Sequence, residues 1–170
     1  ASYTEGMIGK LQNIPGITCG VWQSRPQSRG YVRALSNHIK DAPLIQPNYL
    51  KETIDQNVLI QGVKICRDLL KTSNMKKISI KETLPGENVK TDSEILNFVK
   101  NNGATVYHAI GSCRMGIDKD AVVDADLKLN GVENLRVADA SIMPTMTSGN
   151  TNAATLMIAE KASDLIKKDK

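Results

Sequence analysis

Hydrophobic residues recur at helical spacing in three stretches, and each stretch predicts an amphipathic helix. The first runs from about Glu52 to Lys71, and its apolar side chains near one face are Ile54, Val58, Val63, Ile65, Cys66, Leu69 and Leu70. The second follows a capping box, Thr91-Asp92-Ser93-Glu94, and should end at Asn101-Asn102-Gly103. The third begins near Asn152 and runs to about Lys168, with Ala154, Met157, Ile158, Ala162, Leu165 and Ile166 facing inward.

Short runs of β-branched and aromatic residues between turn signals predict strands. Two short strands are expected within Val21 to Leu35, where Arg25-Pro26 and Arg29-Gly30 interrupt the run. Further strands are expected at Thr105 to His108, at Val122-Val123 paired with Leu127 to Leu129, and, as a buried strand, at Leu135 to Ala138. Asn130-Gly131 predicts a tight turn.

Composition narrows the class of protein. The chain has 170 residues, of which 41% are hydrophobic and 24% charged, close to the average for globular proteins. Aromatic residues make up only 4%, so a stacking surface for single-stranded nucleic acid is not expected. The net charge of +4 is small and spread out, which favours a solvated helix end at Lys167, Lys168 and Lys170 over a docking site. No apolar run approaches the roughly 20 residues of a membrane span, so no integral membrane segment is expected.

The few cysteines and histidines argue against a metal site. Cys19, Cys66 and Cys113 are odd in number and lack C-x-x-C spacing, which predicts neither a disulfide framework nor a zinc site. They fit a reducing compartment, so a cytoplasmic location is the prediction. Only His38 and His108 could add imidazole ligands, and no metal is expected. Cys113 is interpreted as a small buried side chain rather than a nucleophile, because no base is placed beside it.

Three polar segments could carry chemistry. His108 follows a short predicted strand and precedes a loop bounded by Gly111 and Gly116. It could act as a general base, although a structural hydrogen bond is the default for a lone histidine. A predicted strand ends in Asp139-Ala140-Ser141, where backbone N–H groups could face a ligand or form a capped turn. Ser148 to Ala153 opens the last helix, whose N–H groups attract negative charge.

A detail of the last segment and a fourth segment, Arg25 to Gly30, also leave alternatives open. Asparagine is a common N-cap, yet Asn150 and Asn152 flanking Thr151 are more than capping requires. The two arginines of Arg25-Pro26-Gln27-Ser28-Arg29-Gly30 could bind a carboxylate or phosphate. They could instead lock a turn through hydrogen bonds to backbone carbonyls, and this is the preferred interpretation.

Taken together, the motifs resemble the glucose–methanol–choline (GMC) family of FAD-dependent oxidoreductases, most closely its choline dehydrogenase and alcohol dehydrogenase branch. Each motif is weak alone, but they occur in order through most of the chain. The segments that carry the resemblance are Arg25-Pro-Gln-Ser-Arg-Gly30, Gln46-Pro-Asn-Tyr49, Tyr107-His-Ala-Ile-Gly-Ser-Cys-Arg-Met-Gly116, Val122-Val-Asp124, Asn134-Leu-Arg-Val-Ala-Asp-Ala-Ser-Ile-Met-Pro144, Ser148-Gly-Asn-Thr-Asn-Ala153 and Ala159-Glu-Lys-Ala162.

The resemblance implies a part of a longer enzyme. Family members begin with a G-x-G-x-x-G fingerprint that this sequence lacks, so the chain corresponds to roughly the last third of such an enzyme. Residues 1–130 would be part of the substrate-binding domain, and residues 131–170 a strand and helix that return to an otherwise missing N-terminal FAD domain. The implied fold is α+β, with a mixed, mainly antiparallel sheet backed by helices. Without its partner domain the last segment would expose apolar surface and self-associate or be partly mobile.

The resemblance also assigns roles to residues. His108 corresponds to the active-site histidine beside the flavin, and Asn150 to the second catalytic position, which is His or Asn in the family. Asn152 and Ala153 would pack against the flavin ring, and the backbone of Asp139 and Ala140 would contact FAD near its ribityl and phosphate portion. One departure is Ala109, where many relatives carry Pro.

The implied reaction is oxidation of a primary alcohol, choline or similar, to an aldehyde by hydride transfer to N5 of FAD. As an isolated fragment the chain would bind no FAD and be inactive. Choline specificity stays open, because the expected glutamate would lie upstream, and so do the electron acceptor and peripheral membrane association. The alternative is a stand-alone, non-catalytic module for a small ligand or a protein. A hydrolase using Ser141 or Ser148 has little support, since neither lies in a G-x-S-x-G motif.

Overall fold

Three helices make up most of the regular structure in a computed structural model that describes residues 11–169. They are α1 (Thr53–Leu70), α2 (Asp92–Asn102) and α3 (Asn152–Lys168). Each begins and ends within one or two residues of the predicted bounds. The signals that predicted them are local, since the apolar spacing and the caps lie within each segment.

The capping box at the start of α2 is confirmed. The Thr91 hydroxyl accepts a hydrogen bond from the backbone N–H of Glu94 at 3.3 Å, and the Glu94 carboxylate accepts one from the backbone N–H of Thr91 at 2.8 Å. Two N–H groups that would otherwise lack partners are therefore satisfied. These backbone hydrogen bonds from Thr91 and Lys90 lower the pKa of Glu94 below its usual value.

A small antiparallel sheet completes the predicted α+β fold, which is confirmed. β1 (Tyr31–Arg33) pairs with β2 (Leu44–Gln46), and Tyr31 lies opposite Gln46. Gly30 precedes β1 at a point where a Cβ atom would lie 2.1 Å from the carbonyl oxygen of Gln46. Only glycine allows so close an approach of the two backbones.

Several predicted strands are not continuous strands. Thr105 to His108 cannot extend because Tyr107 has a φ of 61°, in the left-handed region. Among the described residues, the only bridge formed by Leu135 to Ala138 pairs Arg136 with Lys128, and Leu135 is half exposed, so the predicted buried strand is reduced to one bridge and is not fully buried. Around Val122 to Leu129 the pairing is limited to single bridges of Val123 with Leu129 and with Met115.

The tight turn at Asn130-Gly131 is confirmed. The backbone N–H of Val132 donates to the carbonyl of Leu129 at 3.3 Å, so Asn130 and Gly131 occupy the two central turn positions. Gly131 has a φ of 78°, which glycine adopts at no steric cost.

The chain divides into two compact units. One comprises the described part of Ala1–Gln23 with Gln27–Arg29 and Asn48–Thr105, and the other comprises Ser24–Pro26, Gly30–Pro47 and the described part of Val106–Lys170. The division at residue 130 refers to domains of a longer enzyme and stays a prediction.

In the first unit, an extended segment lies against α1 through alternate residues. The Cys19 sulfur is 3.0 Å from the Cys66 sulfur, and a Cβ atom at Gly62 would lie 2.2 Å from a methyl carbon of Val21. The Gln23 amide donates to Asp55 at 3.2 Å. This every-second-residue contact is typical of an extended chain.

The Asp55 carboxylate, only 2% exposed, anchors the end of that segment. It accepts hydrogen bonds from the backbone N–H groups of Gln27 and Ser28 at 2.9 and 2.7 Å, and from the Ser28 hydroxyl. The Ser28 hydroxyl in turn accepts from the backbone N–H of Glu52 at 3.1 Å. The predicted turn lock at this motif is therefore made in part by a carboxylate that the sequence did not single out.

Within the described residues, Cys19, Cys66 and Cys113 are free thiols. Burial, together with the hydrogen bond from Cys19, raises the pKa of Cys66 to about 11. Cys66 is therefore protonated at neutral pH and a poor nucleophile. Cys113 is partly buried.

In the second unit, an aliphatic core forms beneath α3. Its buried members are Val123, Leu127, Ile142, Met143, Ile158 and Ala162. Ala154 and Leu165 of α3 pack against this core, as predicted, whereas Met157 and Ile166 are 61% and 47% exposed. On α1, Ile54, Ile65 and Leu69 are likewise exposed rather than facing inward. None of the helices in the described range 11–169 is both long and apolar enough to cross a bilayer.

Replacing Asp55 with Asn should destabilise the chain by about 3 kcal/mol, because an amide nitrogen would then face a backbone N–H in place of a charged acceptor. Burial alone raises the pKa of Asp55, but hydrogen bonds from Ser28, Gln27 and Gln23 lower it to below its usual 3.8. This stabilisation is thus present above the unfolded pKa of 3.8 and lost as pH falls through the lower folded pKa. In D55N the decrease in the free energy of unfolding that Asp55 causes at acidic pH should be absent.

Urea unfolding followed by far-ultraviolet circular dichroism, repeated from neutral to acidic pH, measures both effects. The control is D68N, on the exposed side of the same helix. Equal stability of the two variants at neutral pH would show that Asp55 does not anchor the segment.

Candidate active site

Two backbone hydrogen bonds fix the loop that follows His108. The N–H of Cys113 donates to the carbonyl of Ser141 at 3.0 Å, and the N–H of Met115 donates to the carbonyl of Ile142 at 2.8 Å. The loop therefore lies beside the 3-10 turn Ala140–Ile142, which itself packs against α3. In this way the fold brings His108 towards the start of α3.

An ion pair within the loop adds a second constraint. The Arg114 guanidinium donates to both carboxylate oxygens of Asp118, one of them at 2.8 Å. This hydrogen bond lowers the pKa of Asp118 to about 2. The pair is partly exposed, so it orients the turn more than it stabilises the fold.

The His108 imidazole contacts two neighbouring residues at the start of α3. Its Nε2 lies 3.4 Å from the Asn150 amide nitrogen, and its Nδ1 lies 3.2 Å from the Thr151 hydroxyl. The two predicted catalytic residues, 42 positions apart, thus lie side by side.

Asn150 also caps the start of α3. Its side-chain oxygen accepts a hydrogen bond from the backbone N–H of Asn152 at 2.9 Å. The capping interpretation and the catalytic interpretation of Asn150 are therefore compatible, because the oxygen caps while the nitrogen faces His108.

The other predicted residues lie on the same two elements. Asp139 accepts a hydrogen bond from the backbone N–H of Ser141 at 2.7 Å and caps the 3-10 turn. Hydrogen bonding from the Ser141 side chain, and then from its backbone N–H, lowers the pKa of Asp139. Ala140 packs against the core. Asn152 and Ala153 are the first two residues of α3, and both are exposed. Their roles towards a cofactor stay predictions.

One residue of the site, Thr151, was given no role of its own by the sequence prediction, although it contacts His108 and is 8% exposed. Arg25, which was considered as an anion-binding or turn-locking residue, donates from its Nε to the hydroxyl of Ser148, just before Asn150. A threonine at an N-cap is an ordinary sequence signal, so only the fold reveals that its hydroxyl faces an imidazole.

The surface around Asn150 is open. Gly149, Asn150, Asn152 and Ala153 are exposed, and a Cβ atom added to Gly149 would meet nothing within 4 Å. The first turn of α3 adds backbone N–H groups and the positive end of a helix dipole. Within residues 11–169, no group of three or more His, Cys, Asp or Glu side chains could hold a metal ion.

Residues 26–159 match the family model described as GMC oxidoreductase. The chain belongs to the GMC oxidoreductase family. The resemblance inferred from the motifs is therefore confirmed.

Curated GMC relatives share most of this chain. It is 43% identical over 151 residues to an alcohol dehydrogenase [acceptor] of Pseudomonas putida, covering 89% of this chain and 27% of that protein. It is 45% identical over 145 residues to the mitochondrial choline dehydrogenase of Mus musculus, covering 84% and 24%. The chain thus spans about a quarter of the length of these relatives.

Solved structures of GMC oxidoreductases share the fold of this chain. A pyridoxine 4-oxidase from Mesorbium loti superposes with a TM-score of 0.77 at 37% identity, covering 83% of this chain and 28% of that one. An FAD-dependent oxidoreductase from Chaetomium thermophilum superposes with a TM-score of 0.78 at 32% identity, covering 85% and 25%.

Replacing Gly111 with Ala should destabilise this GMC fragment more than the same change at Gly131. Both glycines have positive φ values, 82° and 78°, so both variants carry a backbone cost of about 1–2 kcal/mol. Only at position 111 does the added Cβ meet an atom, the carbonyl oxygen of Met143 at 3.3 Å. Urea unfolding of both variants measures the difference, and a G111A variant no less stable than G131A would contradict the close approach.

Proposed function

We propose that this chain is the C-terminal part of a flavin-dependent enzyme that oxidises a primary alcohol to an aldehyde. The observation that carries the proposal is the pairing of His108 with Asn150 on an exposed surface at the start of α3. An imidazole can accept a proton near neutral pH, and a carboxamide can donate a hydrogen bond to an oxygen.

The residues at this surface fit FAD. The residues from Gly149 to Ala153 are small or polar, and all of them except the buried Thr151 are exposed. This surface leaves room for a flat ring. The N-terminus of α3 suits a group that gains negative charge. Asn152 and Ala153 would lie against the ring, and the backbone of Asp139 and Ala140 would contact the ribityl and phosphate portion. When bound, FAD supplies the acceptor for the hydride of the alcohol.

The protein's own part in the reaction is proton transfer and orientation. Nε2 of His108 accepts the hydroxyl proton of the alcohol, while Asn150 hydrogen-bonds the substrate oxygen. When Nε2 becomes protonated it can no longer accept from the Asn150 amide. The amide nitrogen is then released to donate to the oxygen, on which negative charge develops.

The substrate class follows from this chemistry and from the relatives. A histidine base serves any primary alcohol, and the relatives include enzymes named for choline, for alcohols and for pyridoxine. We therefore propose an alcohol donor, with choline as the first substrate to test.

The remaining part of the enzyme would cover α3. Leu156 and Met157 are 60% and 61% exposed on the face away from the core. Apolar side chains at adjacent positions favour contact with another protein surface. We propose that the FAD-binding part supplies this surface, and that the chain alone is inactive.

Replacing His108 with Ala in the complete enzyme should slow flavin reduction by about 10²–10⁴-fold, the usual contribution of a positioned base. The measurement is anaerobic bleaching of the flavin absorption after mixing with choline or another primary alcohol. H38A is the control, because His38 lies in an exposed loop beside Asp41, and its rate should be unchanged.

Two results would contradict the proposal. One is a complete protein that carries no flavin and therefore shows no yellow spectrum, which would favour a non-catalytic binding module. The other is an H108A enzyme whose flavin is reduced as quickly as that of the unchanged enzyme.

The chain on its own should self-associate through the exposed face of α3, and the double variant L156Q/M157Q should weaken that association. Sedimentation equilibrium over a range of concentrations measures it. A monomeric unchanged chain whose α3 is fully protected from hydrogen exchange would show that this face needs no partner.

A further inference from the structure

Both nitrogens of the His108 ring lie within hydrogen-bonding distance of a side chain. Nε2 lies 3.4 Å from the Asn150 amide nitrogen and Nδ1 lies 3.2 Å from the Thr151 hydroxyl. A neutral imidazole carries one proton, so one nitrogen donates and the other accepts. Which nitrogen is protonated decides which one can act as a base.

The orientation of the Asn150 amide is set by a group that can only donate. The backbone N–H of Asn152 lies 2.9 Å from the side-chain oxygen of Asn150. If the amide were flipped, its NH₂ group would face that N–H and the hydrogen bond would be lost. The amide nitrogen of Asn150 therefore faces His108.

This orientation determines the protonation of the imidazole. An amide nitrogen only donates, so Nε2 of His108 must present its lone pair to Asn150. The proton of the neutral ring is then on Nδ1, and Nδ1–H donates to the Thr151 hydroxyl oxygen.

A separate observation supports this role for Thr151. It occupies the N-cap of α3, where a threonine hydroxyl usually accepts a hydrogen bond from the helix backbone. Here the hydroxyl makes no such cap contact, and the residue is 8% exposed. The helix is capped by Asn150 instead, which leaves the buried hydroxyl of Thr151 beside the ring.

We propose that Thr151 is a positioning residue that, together with Asn150, stabilises the Nδ1–H form of His108 and leaves Nε2 as the proton acceptor. Its importance for the reaction rests on the proposed function, in which His108 is the base. In that step the O–H bond of the alcohol would break and a bond from the proton to Nε2 would form, and FAD, when bound, would take up the hydride released by the alcohol carbon. Nδ1–H donates to Thr151 before and after the transfer, so the ring does not have to rotate.

The test compares T151V, which has nearly the same shape but no hydroxyl, with T151S, which retains one. The proteins are complete holoenzymes labelled with ¹⁵N-histidine, and the signals of His108 are identified by their loss in H108N. Nitrogen chemical shifts distinguish a protonated ring nitrogen from one with a free lone pair. T145V, a change at an exposed threonine in the preceding connection, is the matched control.

The unchanged enzyme, T151S and T145V should show neutral His108 with its proton on Nδ1. In T151V the ratio of the Nε2–H form to the Nδ1–H form of His108 should rise by about tenfold, because the net free energy of one hydrogen bond changes an equilibrium constant by about that factor. The limiting rate of flavin reduction should fall by a similar factor in T151V, and T151S should restore it.

Either of two results would overturn the inference. One is a spectrum of the unchanged enzyme in which neutral His108 carries its proton on Nε2. This measurement does not depend on the folding of any variant. The other is a T151V spectrum identical to that of the unchanged enzyme. A failure of the proposed function would be seen separately. In that case flavin reduction would proceed at the normal rate in H108A, whichever nitrogen of His108 is protonated in the unchanged enzyme.

Discussion

The site depends on the attachment of the 111–116 loop to the turn at Ala140–Ile142. Two backbone hydrogen bonds, from Cys113 and Met115, make this attachment, and the turn packs on α3 above an aliphatic core. Backbone contacts of this kind constrain position without depending on side-chain rotamers. They place an imidazole beside an amide and a hydroxyl that lie about 40 residues away in sequence, which is the arrangement from which the chemistry follows.

The helices could be predicted from the sequence because their signals are local, as the confirmed capping box at Thr91 and Glu94 illustrates. The strands could be predicted only in part. β1 lies within the predicted run Val21 to Leu35, but the pairing of a strand depends on a partner elsewhere in the chain and on backbone angles that composition does not reveal. Tyr107, with its φ of 61°, interrupts a segment whose composition predicts a strand, and Arg136 has a single bridging partner within the described residues. The inward face of α1 was also misjudged in part, since Ile54, Ile65 and Leu69 are exposed while Asp55, a charged residue, is buried.

The candidate site was predictable only where a family motif supplied it. His108 and Asn150 came from the resemblance, and the structure brings them together. Thr151 lies within a family motif but was given no role there, and Asp55 belongs to no motif; both act through contacts that only the folded chain creates. Their roles differ: Asp55 replaces several solvent hydrogen bonds with protein ones and stabilises the first unit, whereas Thr151 affects the protonation of one ring.

The central claim is that Nε2 of His108 is the atom that faces the substrate, and a crystal structure of the complete enzyme with a bound alcohol tests it most directly. We expect the alcohol oxygen about 2.6–3.2 Å from Nε2, with Nδ1 still bonded to the Thr151 hydroxyl. An alcohol oxygen bound to Nδ1, or an imidazole that does not contact the alcohol, would contradict it.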